Sequence, residues 1–150
     1  MAASAWRVYN EAKKYLLTAD LDINAATMRI KLIKGTAAAN VSDYTRSTWA
    51  SLVGLTAPGN IPGSAVQSLT GLAVTAGASA KEIKFDATDP VFTASGGTAT
   101  SIQYAVIGIS GGKCLAWCKL STAAFAVTTG NTLTLQFNAS GIFTLTGGVT

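Results

Sequence analysis

The chain has 150 residues, a mass of 15.3 kDa and a formal net charge of +4, with 49% apolar and only 12% charged residues. This length predicts a single domain, residues 1–150, that can bury roughly two-thirds of its unfolded surface without a disulfide or a metal. The sequence has no histidine, which excludes Ser-His-Asp and Cys-His nucleophile systems and imidazole-based metal sites. We therefore expect no enzyme activity, no cofactor and no metal site.

The distribution of charge and hydropathy indicates which partners to expect. The Lys and Arg residues are scattered along the chain rather than gathered with aromatic residues, so we expect no nucleic-acid partner. No apolar run is long enough for a transmembrane helix, and residues 1–7 lack the apolar core of a signal peptide, so we expect no membrane partner. The mean hydropathy of +0.36, with so few charges, predicts that the chain associates with itself.

The two cysteines, Cys114 and Cys118, are four residues apart within a predicted strand. Four strand residues span about 13 Å, which is too far for a disulfide between them. Two cysteines without histidine are also a poor zinc site. We therefore predict two buried, reduced thiols on one strand face, which suits a reducing compartment.

The N-terminal part predicts a helix followed by a strand. Apolar residues recur at three- and four-residue steps between residues 5 and 18, which indicates an amphipathic helix with Ser4 as its N-cap. From residue 27 the apolar period changes to two. Alternation of Met28, Ile30 and Leu32 with polar residues predicts a half-buried strand that leaves Lys31 on the solvent face.

Strand patterns separated by turn residues dominate the chain from residue 69 onward. Gly111-Gly112 between two apolar runs predicts a hairpin, because both positions tolerate positive φ. Strands at this spacing are typical of a β-sandwich, a jelly roll or a small barrel. The predicted strands are 69–76, 82–86, 91–94, 101–110, 113–120, 123–128, 132–137 and 142–146.

Residues 35–68 form an excursion without strand periodicity, in which we expect one short helix near 42–53. Tyr44, Trp49 and Leu52 place large apolar groups in this segment. Ordering it costs roughly 1–2 kcal/mol of backbone entropy per residue, which a partner surface would offset. We predict that these three residues contact another subunit, with Trp49 as the anchor; the alternative is that the segment covers one end of the sandwich.

Three further motifs have a structural interpretation that outweighs the chemical one. Residues 108–113 are similar to a phosphate-binding loop, but Cys114 stands where a hydroxyl is needed, so a hairpin turn is expected. The carboxylate pairs, Asp20 with Asp22 and Asp86 with Asp89, are expected to serve turns rather than acid-base catalysis or calcium binding. The tryptophans lie on three different predicted elements and are expected in a core or an interface rather than on a sugar-stacking platform.

Several segments together resemble a family of small virion structural proteins of tailed bacteriophages, the capsid decoration (cement) proteins. The resemblance lies in apolar and turn patterns at both ends and in the middle of the chain; residues 35–68 do not match. The segments that carry it are 5–17, 19–23 with 27–32, 83–87, 104–107 and 132–145.

The resemblance implies an all-β, jelly-roll-like β-sandwich with one N-terminal amphipathic helix, made in the host bacterial cytoplasm and carried on the capsid surface of the virion. Its implied partners are the major capsid protein and itself, as a dimer or trimer at a symmetry axis. The uncharged residues 120–150 agree with an interface. The alternatives are a receptor- or carbohydrate-binding β-sandwich of a tail or fibre, and a structural protein of the tail or of head completion.

Overall fold

The computed structural model describes residues 4–18, 23, 27–43, 45, 48–53 and 55–146. The chain is mostly β, with several antiparallel sheets, as the strand patterns predicted. The strands within the described residues are β1 (Arg7–Val8), β2 (Met28–Lys34), β3 (Val66–Ser68), β4 (Ala73–Ala76), β5 (Glu82–Asp86), β6 (Val91–Thr93), β7 (Ala99–Ile109), β8 (Cys114–Lys119), β9 (Phe125–Val127), β10 (Thr132–Thr134) and β11 (Phe143–Thr146).

The helices are short. The first, α1 (Asn10–Leu17), begins later than the prediction of residues 5–18. Two others, α2 (Ala38–Val41) and α3 (Trp49–Val53), lie in the excursion, and single 3-10 turns occupy Gly35–Ala37 and Pro62–Ala65. Within the described residues, no helix is both long and apolar enough to cross a lipid bilayer.

The prediction that Ser4 caps the first helix was wrong. Ser4 instead lies beside β8, where its N–H donates to the Lys119 carbonyl (2.8 Å) and its Oγ accepts from the Lys119 N–H (2.9 Å). The following β1 pairs with β8, and the residue that caps α1 is Tyr9, which has an extended backbone. Ser4, Arg7 and Val8 are thus paired with β8, which explains why the helix starts only at Asn10.

The largest sheet has six strands in the order β1-β8-β7-β2-β3, with β9 pairing to the first part of β7. A two-stranded sheet joins β10 to β6, and a three-stranded sheet has the order β11-β5-β4. All pairings are antiparallel. The hairpin predicted at Gly111-Gly112 connects β7 and β8, and Gly111 has a φ of 72°.

The strand β2 is buried on both faces, so the expectation that Lys31 faces solvent was wrong. Only 2% of Lys31 is exposed, and its Nζ donates to the Leu55 carbonyl at 2.9 Å. Burial lowers the pKa of this amine, because a low-dielectric environment disfavours its charged form. In this sheet β2 lies between β7 and β3 and both of its faces are covered, so its polar positions are buried together with its apolar ones.

Strand register shows what covers each face of the large sheet. Lys31 is opposite Val106, so both share a face with Gly108, two residues further on β7. That face is covered by the excursion, because Lys31 binds the Leu55 carbonyl and a Cβ at Gly108 would lie 2.6 Å from Trp49 Cε3. The other face carries Cys118, which is opposite Ala105 on β7 and lines an open groove.

We expect Gly108→Ala to destabilise the fold by about 1–3 kcal/mol, the usual cost of overpacking a core. The new methyl would lie 2.6 Å from Trp49 Cε3 and 2.8 Å from the Lys113 carbonyl oxygen, so the layers must separate. The matched control is Gly59→Ala, because nothing lies within 4 Å of a Cβ there. Chemical denaturation of both variants measures the difference; equal unfolding midpoints would contradict this packing.

Candidate functional site

Two of the three predicted interface residues lie in the core of the single chain. Trp49 is 4% exposed and Leu52 is fully buried, whereas Tyr44 lies outside the described residues. The start of α3 is fixed to the β7–β8 hairpin, because the Trp49 N–H donates to the Gly112 carbonyl (2.8 Å) and the Cys114 Sγ donates to the Thr48 carbonyl (2.8 Å). This placement favours the alternative, in which the segment covers part of its own subunit, although it covers a face of the large sheet rather than one end of a sandwich.

The acidic residues that were weighed for catalysis have local structural partners. Asp86 lies 3.4 Å from Lys84 Nζ and accepts from the Ala87 N–H, and Asp89 accepts from the Phe137 N–H at 2.8 Å. Asp20 and Asp22 lie outside the described residues. Within the residues that are described, no three His, Cys, Asp or Glu side chains are grouped so that they could hold a metal ion.

The tryptophans do not share a surface. Trp6 is half-buried and its ring centroid lies 5.9 Å from that of Phe137. Trp117 packs against Tyr104 at 6.3 Å and lies under the guanidinium of Arg7 at 5.4 Å. The ring of Trp49, the first residue of α3, lies against Gly108 of β7. The three rings therefore have three separate environments and form no common stacking platform.

A groove of about 1130 Å³, which we call the strand-edge groove, lies on the described part of the chain. One wall is the N-terminal segment beside β8, the other is the chain through and beyond β10, and the start of β11 also contributes to the lining. Its lining residues are Ser4, Ala5, Trp6, Val8, Lys13, Cys118, Leu120, Phe125, Leu133, Thr134, Leu135, Gln136, Phe137, Asn138, Ser140, Gly141, Ile142, Phe143 and Thr144.

Consecutive residues line both walls of the strand-edge groove, including 4–6 before β1 and 135–138 after β10, so irregular chain beside the strands forms much of it. Lys13 is the single charged residue in the lining. Half-buried rings of Trp6, Phe125, Phe137 and Phe143 give the groove an apolar surface between exposed polar side chains. An extended, uncharged polypeptide matches such a surface, because strand edges offer backbone hydrogen bonds.

The sequence pattern indicated only part of this groove. It marked residues 120–150 as uncharged, and the groove draws more than half of its lining from 120–144. It placed the N-terminal residues on a helix face, so the opposite wall was missed. No local pattern could indicate this wall, because it depends on the pairing of Arg7 with Trp117, which is more than a hundred positions away in the sequence.

The prediction of two buried, free thiols is confirmed. The prediction that they share one strand face was wrong. A register shift between Ile107 and Gly108 places Cys114 opposite Gly108, on the face that the excursion covers, whereas Cys118 is opposite Ala105, on the other face. Burial raises the pKa of the Cys118 thiol, and a hydrogen bond from the Ala105 backbone lowers it by a smaller amount. The resulting pKa is about 12.

No known protein family, no curated protein and no solved structure matches this chain.

We expect Trp49→Ala to lower the free energy of unfolding by about 3–5 kcal/mol, because removing the ring leaves a large cavity between α3 and β7. Leu17→Ala is the control, since Leu17 is 88% exposed and its truncation should change stability by less than about 0.5 kcal/mol. Thermal and chemical denaturation measure both. If Trp49→Ala is as stable as the parent, Trp49 belongs to a surface, as the sequence first suggested.

We expect Cys118 to make stability fall at alkaline pH. The unfolded thiol loses its proton near pH 9.0, whereas the folded thiol keeps it to about 12, so the folded state holds the extra proton between these values. Stability therefore falls there by up to about 1.4 kcal/mol per pH unit. Unfolding of the parent and Cys118→Ala at several pH values isolates the effect; a difference that stays constant above pH 9 contradicts it.

Proposed function

We propose that the chain is a capsid decoration protein that binds the outer surface of an icosahedral phage head and stabilises contacts between major capsid protein subunits. Its partners in this proposal are the major capsid protein and further copies of itself. The site of action is the capsid surface of the virion. The proposal includes a jelly-roll-like sandwich in which the N-terminal amphipathic helix lies at one edge.

The uncharged surface of residues 120–146 supports this proposal most directly. It contains no Asp, Glu, Lys or Arg, yet it forms much of the strand-edge groove and includes Leu145, which is 47% exposed. A free protein surface usually keeps its charges interspersed, which maintains solubility. An uncharged region with exposed apolar groups is typical of a surface that another protein covers.

The strand-edge groove supplies the contact in this proposal. An extended capsid segment lying in it would exchange backbone hydrogen bonds with one wall and pack apolar side chains near Trp6 and Phe137. Such a segment must be uncharged where it is buried, because Lys13 is the single charge that lines the groove and an unpaired buried charge costs several kcal/mol. Icosahedral symmetry repeats the contact, so a modest contribution from each copy stabilises the whole shell.

Thr134→Arg tests this proposal. Thr134 is exposed and lines the groove, so an arginine there would occupy the path of a bound segment with an unmatched charge. We expect binding to heads of the encoding phage, prepared without the protein, to weaken roughly tenfold or more. Thr93→Arg is the matched control, because Thr93 is an exposed threonine of the same two-stranded sheet that does not line the groove.

Co-sedimentation of each variant with the heads measures binding, and circular dichroism verifies folding. Parent protein that does not bind the heads contradicts the capsid role. Equal binding by both threonine variants keeps the capsid role but removes the groove from it.

A second candidate is a carbohydrate- or receptor-binding module of a tail or fibre. The observation in its favour is that Gln136, Asn138 and Ser140, all exposed, line the same groove as the Trp6 and Phe137 rings. Amide and hydroxyl groups beside aromatic rings can hydrogen-bond and stack on a sugar. A glycan array separates the two candidates: a specific glycan signal that Trp6→Ala removes, without binding to heads, would favour this one.

A further inference from the structure

Lys13 gives the strand-edge groove its one charge. It lies in α1 and is exposed, while every other residue that lines the groove is uncharged. The wall formed by the chain through and beyond β10 cannot balance this charge, because residues 120–146 contain no acidic side chain. The lining is therefore neutral except at one positive position on the N-terminal wall.

The Lys13 ammonium group has only a neutral partner. Its Nζ lies 3.4 Å from Asn10 Oδ1, one turn back on the same helix, which is a long hydrogen bond between two exposed side chains. Among the described residues, the one ion pair joins Lys84 and Asp86 on β5. Glu11 is two positions from Lys13, and side chains at that spacing do not face each other on a helix. The ammonium group thus keeps hydrogen-bond donors for a carboxylate of another molecule.

The charge of Lys13 determines which segment can cover the groove. A segment lying there removes water from around the ammonium group, and a charge that loses water without gaining a partner raises the free energy of the complex. A hydroxyl or carbonyl group accepts a hydrogen bond, but a carboxylate also neutralises the charge where the lining has no other ion. Charge complementarity therefore selects an acidic side chain beside Lys13 and neutral residues elsewhere.

We propose that the capsid segment in the strand-edge groove carries one acidic side chain, Asp or Glu, which pairs with Lys13, and that the rest of its buried part is uncharged. This inference rests on the proposed capsid role and adds the chemistry of the partner to it. The pair fixes the register of the segment, because an extended chain without charge can otherwise slide along the groove. The net charge of +4 acts in the same direction, since it attracts the chain to an acidic surface before contact.

Lys13→Gln tests the pair, and Lys14→Gln is the matched control. Both variants remove one positive charge from an exposed position of α1, but Lys14 does not line the groove. We expect Lys13→Gln to raise the dissociation constant for heads of the encoding phage, prepared without the protein, by roughly threefold to tenfold at low salt. Lys14→Gln should bind within about twofold of the parent, because it changes only the long-range attraction.

Two further measurements separate an ion pair from the loss of the lysine stem. Lys13→Arg keeps the charge and should bind like the parent, whereas Lys13→Glu places two carboxylates together and should weaken binding roughly tenfold or more. Raising the ionic strength from about 0.05 M to about 0.5 M should weaken the parent more than Lys13→Gln, because salt screens the pair that the variant lacks. Co-sedimentation with the heads measures binding, and circular dichroism verifies folding.

Weaker binding by Lys13→Gln and Lys13→Glu, with unaffected Lys14→Gln and Lys13→Arg, supports the pair. Equal binding by the parent and Lys13→Gln overturns the pair but not the capsid role. Equal weakening by Lys13→Gln and Lys14→Gln indicates attraction by net charge alone, and weakening by Lys13→Arg as large as by Lys13→Gln indicates packing of the lysine stem; either result overturns the pair. A parent that does not bind the heads contradicts the capsid role and this inference together.

Discussion

The backbone pairing of β7 is the constraint on which the rest of the structure depends. This strand of 11 residues pairs with β2 on one side and with β8 and β9 on the other. Residues 104–107 are buried, so their backbone groups need partners from neighbouring strands instead of water. Removing any neighbour would leave buried, unsatisfied groups, and therefore the large sheet forms as a unit.

Small side chains on this sheet let the covering layers approach closely. Ala105 and Ala116 are fully buried, and Gly108 leaves just enough room for the Trp49 ring. The high content of Ala, Thr and Gly thus has a structural role, because large apolar residues from the excursion and from the C-terminal strands fill the space that small residues leave. Trp49 and Leu52 are part of this packing, which is why their size does not indicate an interface.

The uncharged region 120–146 includes β11, and the two ends of this strand have different surroundings. The start of the strand lines the strand-edge groove, whereas Leu145 at its far end is exposed and does not line it. The groove is concave and lined by half-buried rings, whereas the far end of β11 exposes the Leu145 side chain to solvent.

The sequence by itself determined the features that depend on neighbouring residues. Alternating apolar residues located β5 at the observed bounds and β2, β7 and β8 within two residues at each end, and Gly111-Gly112 located the hairpin between them. The absence of charge after residue 119 marked the surface to which both proposals refer. These predictions succeeded because strand alternation, turn conformation and charge are local properties of the chain.

Tertiary structure decided the rest. Only pairing with β8 turned Ser4 and Arg7 from predicted helix residues into a strand edge, and only the covering of both faces of β2 buried Lys31. The burial of Trp49 follows from its contact with Gly108, 59 positions away, and the two walls of the groove lie more than a hundred residues apart in sequence. The pattern around one residue carries no information about which distant segment will pack on it, because that choice depends on how all the layers fit together.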